Sequence, residues 1–89
     1  MNLNELPIGT RIYNGGDMAN VPHFGTITAH DPGGRFPAQL QITPDAGAER
    51  EAYWITPASF SRKYSGHCGT RFVTEAAYKE FREKIMQSF

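Results

Sequence analysis

Apolar and polar positions alternate with a period of two through most of the chain and change to a period of three to four only near its end. Alternation sends successive side chains to opposite faces of a strand, whereas the longer period builds one face of a helix. Ile12 between Arg11 and Tyr13 predicts a short strand over residues 10–14. From Phe24 to His30, Gly25, Ile27 and Ala29 fall on one side and Thr26, Thr28 and His30 on the other, which predicts a half-buried strand. Residues 38–43 set Leu40 and Ile42 inward and Gln39 and Gln41 outward. Residues 51–56 put Tyr53 and Ile55 on one face and Trp54 on the other, and residues 70–73 make a fifth strand. Between them, "DPGGRFP" and "PDAGAER" supply turn residues, and "PASFS" predicts a helical turn that tucks Phe60 under the sheet.

The last segment is a helix over about 74–88. Tyr78, Phe81, Ile85 and Phe89 recur at three- and four-residue spacing and make one apolar face. Thr74 suits the N-cap, because its hydroxyl accepts a hydrogen bond from a first-turn amide. Val73 before the cap and Tyr78 inside the helix have the spacing of a hydrophobic staple. Glu75, Lys79 and Glu83 stand four apart, as do Glu80 and Lys84, and each such pair adds only about 0.2–0.5 kcal/mol on an exposed face.

Eighty-nine residues, 39% of them hydrophobic and eleven of them Phe, Tyr or Trp, make one domain with one small core. Nine basic and nine acidic side chains cancel, so no global field steers the chain to nucleic acid or an anionic membrane. The charge is uneven, however: residues 1–60 carry a net −3 and residues 61–89 a net +3. One cysteine, Cys68, excludes an internal disulfide and a Cys-rich zinc site. The first ten residues lack the basic flank and apolar run of a signal peptide, and no apolar stretch is long enough to span a bilayer. The expectation is a soluble cytoplasmic protein without a membrane partner.

"GTRIYNGGDMANVPHFGTIT" reads as a strand, a Gly-rich loop and a second strand, and "YWITPASF" as a fourth strand with its helical turn. With five short strands in this order, the chain resembles SH3-like barrels, the group of Tudor, chromo-like and KOW modules. The resemblance covers roughly residues 8–73. It implies a mainly β fold, a five-stranded SH3-like barrel followed by a C-terminal amphipathic α-helix, and a non-enzymatic binding module. The chain is also similar to small proteins of bacterial plasmids and integrated mobile elements, which implies an accessory or inhibitor role.

The first loop is a poor phosphate cradle. No lysine follows its glycines, and Val21-Pro22 opposes the helix that would have to open there. Beside a barrel groove, Met18, Val21, His23 and Phe24 would form one wall of a partner site; alternatively Met18 and Val21 close the end of the core. Trp54 is either covered by the C-terminal helix, the simpler arrangement, or exposed as a further partner-binding residue. A second candidate is the basic–aromatic segment Arg62, Lys63, Tyr64, His67 and Arg71, in which Tyr64 would stack on a base while the cations meet phosphates.

His23, His30, His67 and Cys68 lack the paired spacing of a structural zinc site, so neither metal nor cofactor is expected. Cys68 beside His67 does not make an oriented nucleophile pair. The sequence therefore predicts a non-catalytic module for a protein partner, with nucleic-acid binding through residues 62–71 as the alternative.

Overall fold

The computed structural model describes residues 1–16, 21–66 and 71–87. Met18, His67, Cys68 and Phe89 of the residues singled out above lie outside these. Five antiparallel strands form one sheet: β1 (Arg11–Asn14), β2 (His23–Asp31), β3 (Gln39–Pro44), β4 (Tyr53–Ile55) and β5 (Phe72–Thr74), in the spatial order β4-β3-β2-β1-β5. A 3₁₀ turn at Pro57–Ser59 separates β4 from β5, and α1 (Glu75–Gln87) follows β5 directly. The sheet is open, with β4 and β5 as its edges; the chain beyond β4 meets β5 at the single bridge Phe60↔Phe72.

Residues directly opposite one another in a ladder share a face. Ile12 opposite Gly25, Ile27 opposite Ile42 and Leu40 opposite Ile55 define the core face. Leu6, Ile12, Ile27, Leu40 and Ile42 are fully buried there, and Phe60 and Phe72 nearly so. Burying each such side chain is worth about 1.5–3 kcal/mol, so these positions dominate the fold. Gly25 allows a close approach, since a Cβ would stand 3.0 Å from both the Ile42 side chain and the Thr43 carbonyl and would push β3 away by a few tenths of an ångström.

The alternation of β2 breaks once. Its register with β3 shifts between Ile27 and Ala29, so Thr28 is the extra residue of a β-bulge. Ala29 then pairs with outward Gln41, and His30 with inward Leu40. The expected side of Ala29 and His30 is therefore reversed. His30 uses its inward position to donate from Nε2 to the Leu6 carbonyl at 2.7 Å.

That contact ties down an N-terminal 3₁₀ turn, Leu3–Glu5, which alternation had not announced. Asn2 Oδ1 accepts from the Glu5 amide at 3.2 Å, and Glu5 Oε1 accepts from the Asn2 amide at 3.2 Å. This reciprocal cap delivers Leu6 to the core.

Tyr13 pairs with Phe24 on one side and Val73 on the other, so the opposite face of the sheet begins with these three. α1 covers that face over β1 and β5. Its cap is as the sequence predicts, with Thr74 Oγ1 accepting from the Ala77 amide at 3.2 Å. Arg11 locks the helix start to the sheet. It donates to Glu75 from Nε at 2.9 Å, to Asp45 through Nη1 and Nη2 at 2.6 Å each, and to Thr26 at 2.9 Å.

Because α1 lies over β1 and β5, it does not reach β4. The expectation that the helix covers Trp54 is corrected: Trp54 is 46% exposed, on the helix face of the sheet but at its far edge.

Candidate functional site

Glu75 meets Arg11, and Tyr78, one turn on, meets Tyr13, so α1 advances along β1 toward the first loop. The anchor of this packing is an aromatic cluster. The Tyr78 ring stacks on Tyr13 with centroids 3.8 Å apart, Phe24 tilts against Tyr13 at 4.9 Å, and Tyr64 meets Tyr78 edge-on at 5.2 Å and Phe81 at 4.8 Å. Burial, then the neighbouring Tyr78 and Tyr64 hydroxyls, push the Tyr13 hydroxyl up to about 12.

Past Tyr78 the helix overhangs the sheet. Tyr78, Arg82 and Met86, at four-residue spacing, line cavities on both flanks of this overhang. One, of about 400 Å³, is completed by Tyr64, Gly66, Phe81 and Ile85. The other, of about 290 Å³, is completed by Phe24, Lys79 and Glu83. Met86 is 70% exposed and Ile85 43% exposed, so the lip of this cleft is apolar. Its rim carries Arg82, which lies over the Tyr78 ring at 6.0 Å.

Of the residues singled out for a partner, Phe24 belongs to this cleft. Val21 stands exposed before β2. His23 does not join them: it follows the opposite parity to Phe24 and is buried on the core face. Its Nδ1 lies 3.0 Å from the Val21 carbonyl and its Nε2 2.7 Å from the Tyr53 hydroxyl. A carbonyl only accepts, so in the neutral ring Nδ1 carries the proton and Tyr53 donates to Nε2. Burial pushes the Tyr53 hydroxyl up, opposed by a hydrogen bond from Asn14. Trp54 lies apart, on β4. The expected wall of Met18, Val21, His23 and Phe24 is therefore split, with His23 and Phe24 on opposite faces of the sheet and Met18 outside the described residues.

The glycines of the first loop serve the backbone. Asn14 Oδ1 accepts from the Gly16 amide at 2.8 Å, Gly16 has φ 74°, and the Gly15 amide donates to the Arg71 carbonyl at 2.7 Å. Among the basic–aromatic candidates, Arg62 forms an ion pair with Glu5, which holds that carboxyl below its usual range. Tyr64 is packed within the aromatic cluster, while Lys63 and Arg71 are exposed at the surface.

Arg82 and Met86 escaped the sequence reading. Their signal was present in the i, i+4, i+8 series from Tyr78, but the Phe81–Ile85 stripe drew the apolar face one position away.

Among the described residues no group of three or more His, Cys, Asp and Glu side chains is placed to hold a metal, and no helix is long and apolar enough to cross a membrane. No protein-family model, curated protein sequence or solved structure matches the chain.

Proposed function

We propose that the chain is a non-catalytic interaction module that binds a protein partner in the cleft between the start of β2 and the overhanging half of α1. The observation that carries this reading is the apolar lip: Met86 and Ile85 are exposed above a floor of Phe24, Tyr78 and Phe81. Aromatic and Met side chains beside an arginine are the composition of energetic centres in protein interfaces. The carboxyls with displaced affinities are lowered by structural cations, Glu5 by Arg62, Asp45 by Arg11, and Glu75 by Lys79 of its own helix and then by Arg11, a structural rather than a catalytic arrangement.

The order of strands, with a 3₁₀ turn before the last, supports kinship with the SH3-like modules, and that kinship is part of the proposal. An accessory or inhibitor role toward a larger bacterial assembly rests on the sequence resemblance alone. The nucleic-acid alternative draws less support, because Arg62 is engaged by Glu5 and the Tyr64 ring is committed to Tyr78 and Phe81.

The test is partner capture from a lysate of the source organism with the wild-type chain and with Met86→Glu and Ile85→Glu. Both variants change exposed positions, so folding should persist by circular dichroism. Loss of a captured protein in both supports the cleft; undiminished capture in both sinks it. A parallel titration with DNA and RNA at low and moderate salt should show no binding, whereas affinity with a steep salt slope would favour the alternative.

A further inference from the structure

The backbone of β4 has one unsatisfied side. In an antiparallel ladder, successive residues turn their amide and carbonyl alternately toward one neighbour and the other. The Ile27 amide donates to the Thr10 carbonyl at 2.9 Å, and the Asp45 amide donates to the Phe24 carbonyl at 3.0 Å. Before the bulge, even positions of β2 therefore bond β3; odd positions of β3 bond β2, and Leu40 and Ile42 bond β4. Their partners Ile55 and Tyr53 face inward along the sheet. Trp54, between them, turns both its N–H and its C=O to the free edge. Thr56 continues the extended chain (φ −82°, ψ 146°), so its N–H points the same way, while its carbonyl accepts from the Ser59 amide at 3.0 Å.

The other edge is treated differently. At β5 the Phe72 carbonyl accepts from the Ser61 amide at 2.9 Å, and Phe60 bridges Phe72. β4 has no such cover among the described residues, and it carries no charge, proline or bulge within its span. Those are devices by which proteins blunt an edge; of the usual ones β4 has only its short, three-residue length.

We propose that a second copy of this chain pairs with this edge, β4 antiparallel to β4, about a twofold axis at Trp54. The geometry is self-complementary. The outward N–H and C=O of Trp54 are the two halves of a hydrogen-bonded pair, so two Trp54 residues on a twofold axis satisfy each other. Thr56 of one copy then stands opposite Ala52 of the other and donates to its carbonyl. The two exposed indoles come together on one face of a continuous ten-stranded sheet.

Charge allows this register. Pro57–Ser59 leaves the strand as a 3₁₀ turn, so the paired span runs from Ala52 to Thr56 and holds no charged side chain, and the formal net charge of zero adds no long-range repulsion. An unrelated strand would bond the same backbone but would not supply the second Trp54. Few hydrogen bonds and two indoles make a contact smaller than the about 1,200–2,000 Å² of a standard interface. The dimer is thus a weak one, with dissociation in roughly the 10–1,000 µM range.

Sedimentation of the full chain from about 20 µM to 2 mM, a span set by that range, tests it. Two variants accompany the wild type. Trp54→Lys places a cation on the twofold axis. Thr56→Pro removes the outward N–H, together with the Thr56 hydroxyl's hydrogen bond to Ser59 Oγ, at a φ that proline accepts. Circular dichroism checks that both fold. The mass of the wild type should rise toward that of a dimer, both variants should stay monomeric, and hydrogen exchange of the Trp54 amide should slow about two- to eightfold across the span, the fall in monomer fraction that this dissociation range gives. A wild type that stays monomeric at 2 mM overturns the proposal. So does a dimer that survives both variants, and so does one lost in Trp54→Lys but kept in Thr56→Pro, which would be indole contact without strand pairing. Met86→Glu should leave the dimer intact, which separates this edge from the cleft.

Discussion

The Tyr78 ring lies on the Tyr13 ring, centroids 3.8 Å apart and planes inclined by 22°. This pair is the main bond between helix and sheet, because none of the α1 side chains is fully buried and the helix packs chiefly over β1 and β5. Replacing Tyr78 with Ala removes the stack and the two edge contacts to Phe24 and Tyr64 at once. Large aromatics cost about 3–5 kcal/mol when fully buried; Tyr78 is half-buried, so about 2–3 kcal/mol is expected from the urea midpoint. A loss under about 0.5 kcal/mol, the size of an ordinary surface change, would mean that the helix is held elsewhere.

The same burial sets an alkaline limit. Tyr13 titrates at about 12 in the folded chain, above its ordinary value of 10.0, and burial raises Tyr53 in the same direction. The folded state binds these protons more tightly than the unfolded one. The resulting stability is complete below pH 10 and is lost as pH rises through about 12. Tyrosinate absorbance and unfolding followed together should show Tyr13 ionising only as structure is lost. A Tyr13 that ionises near 10 in the folded chain would contradict this.

At the acid end the control is Arg11. Its guanidinium lowers Asp45 below 3.8, and Lys79 together with Arg11 lowers Glu75 below 4.5. Folded values below unfolded ones give stability that is present above pH 4.5 and declines as pH falls through the lowered values. Arg11 and Asp45 are each more than 40% exposed, so solvent screens them. Arg11→Ala should cost about 1 kcal/mol at neutral pH and flatten the acid limb of the stability curve. An unchanged acid limb in that variant would remove Arg11 as its cause.

Tyr53→Phe tests the buried His23. It deletes the donor to Nε2 and leaves that nitrogen without its partner on the core face. A buried polar atom deprived of its bond costs about 1–3 kcal/mol, read from the denaturation midpoint. Nitrogen NMR of the wild type should find the proton of the neutral ring on Nδ1. A proton on Nε2 instead would reverse the donor assignment to Tyr53.

Much of this was legible along the chain, because the strongest signals are local. Leu40 and Ile42 inward, Tyr53 and Ile55 against Trp54, Phe60 under the sheet and Thr74 as cap all follow from period and cap chemistry, and the structure places each so. The N-terminal 3₁₀ turn was hidden because three residues carry no periodicity. His23 looked like a loop residue beside an exposed Phe24. Its burial depends on Tyr53, thirty positions away, which alternation cannot supply.

The sequence by itself determined the elements, their order and the inward residues of β3 and β4, since alternation, turn residues and capping act within a few positions. Tertiary structure alone decided three matters. The bulge at Thr28 reversed the face of Ala29 and His30, because a register shift is a property of two strands rather than one. The place of α1 over β1 and β5 left Trp54 uncovered, because the Tyr13–Tyr78 stack and the Arg11–Glu75 ion pair fix the helix at the opposite side of the sheet. And the open seam between β4 and β5 left Trp54 with a free backbone edge, because closure would need hydrogen bonds between strands that only the folded sheet holds apart.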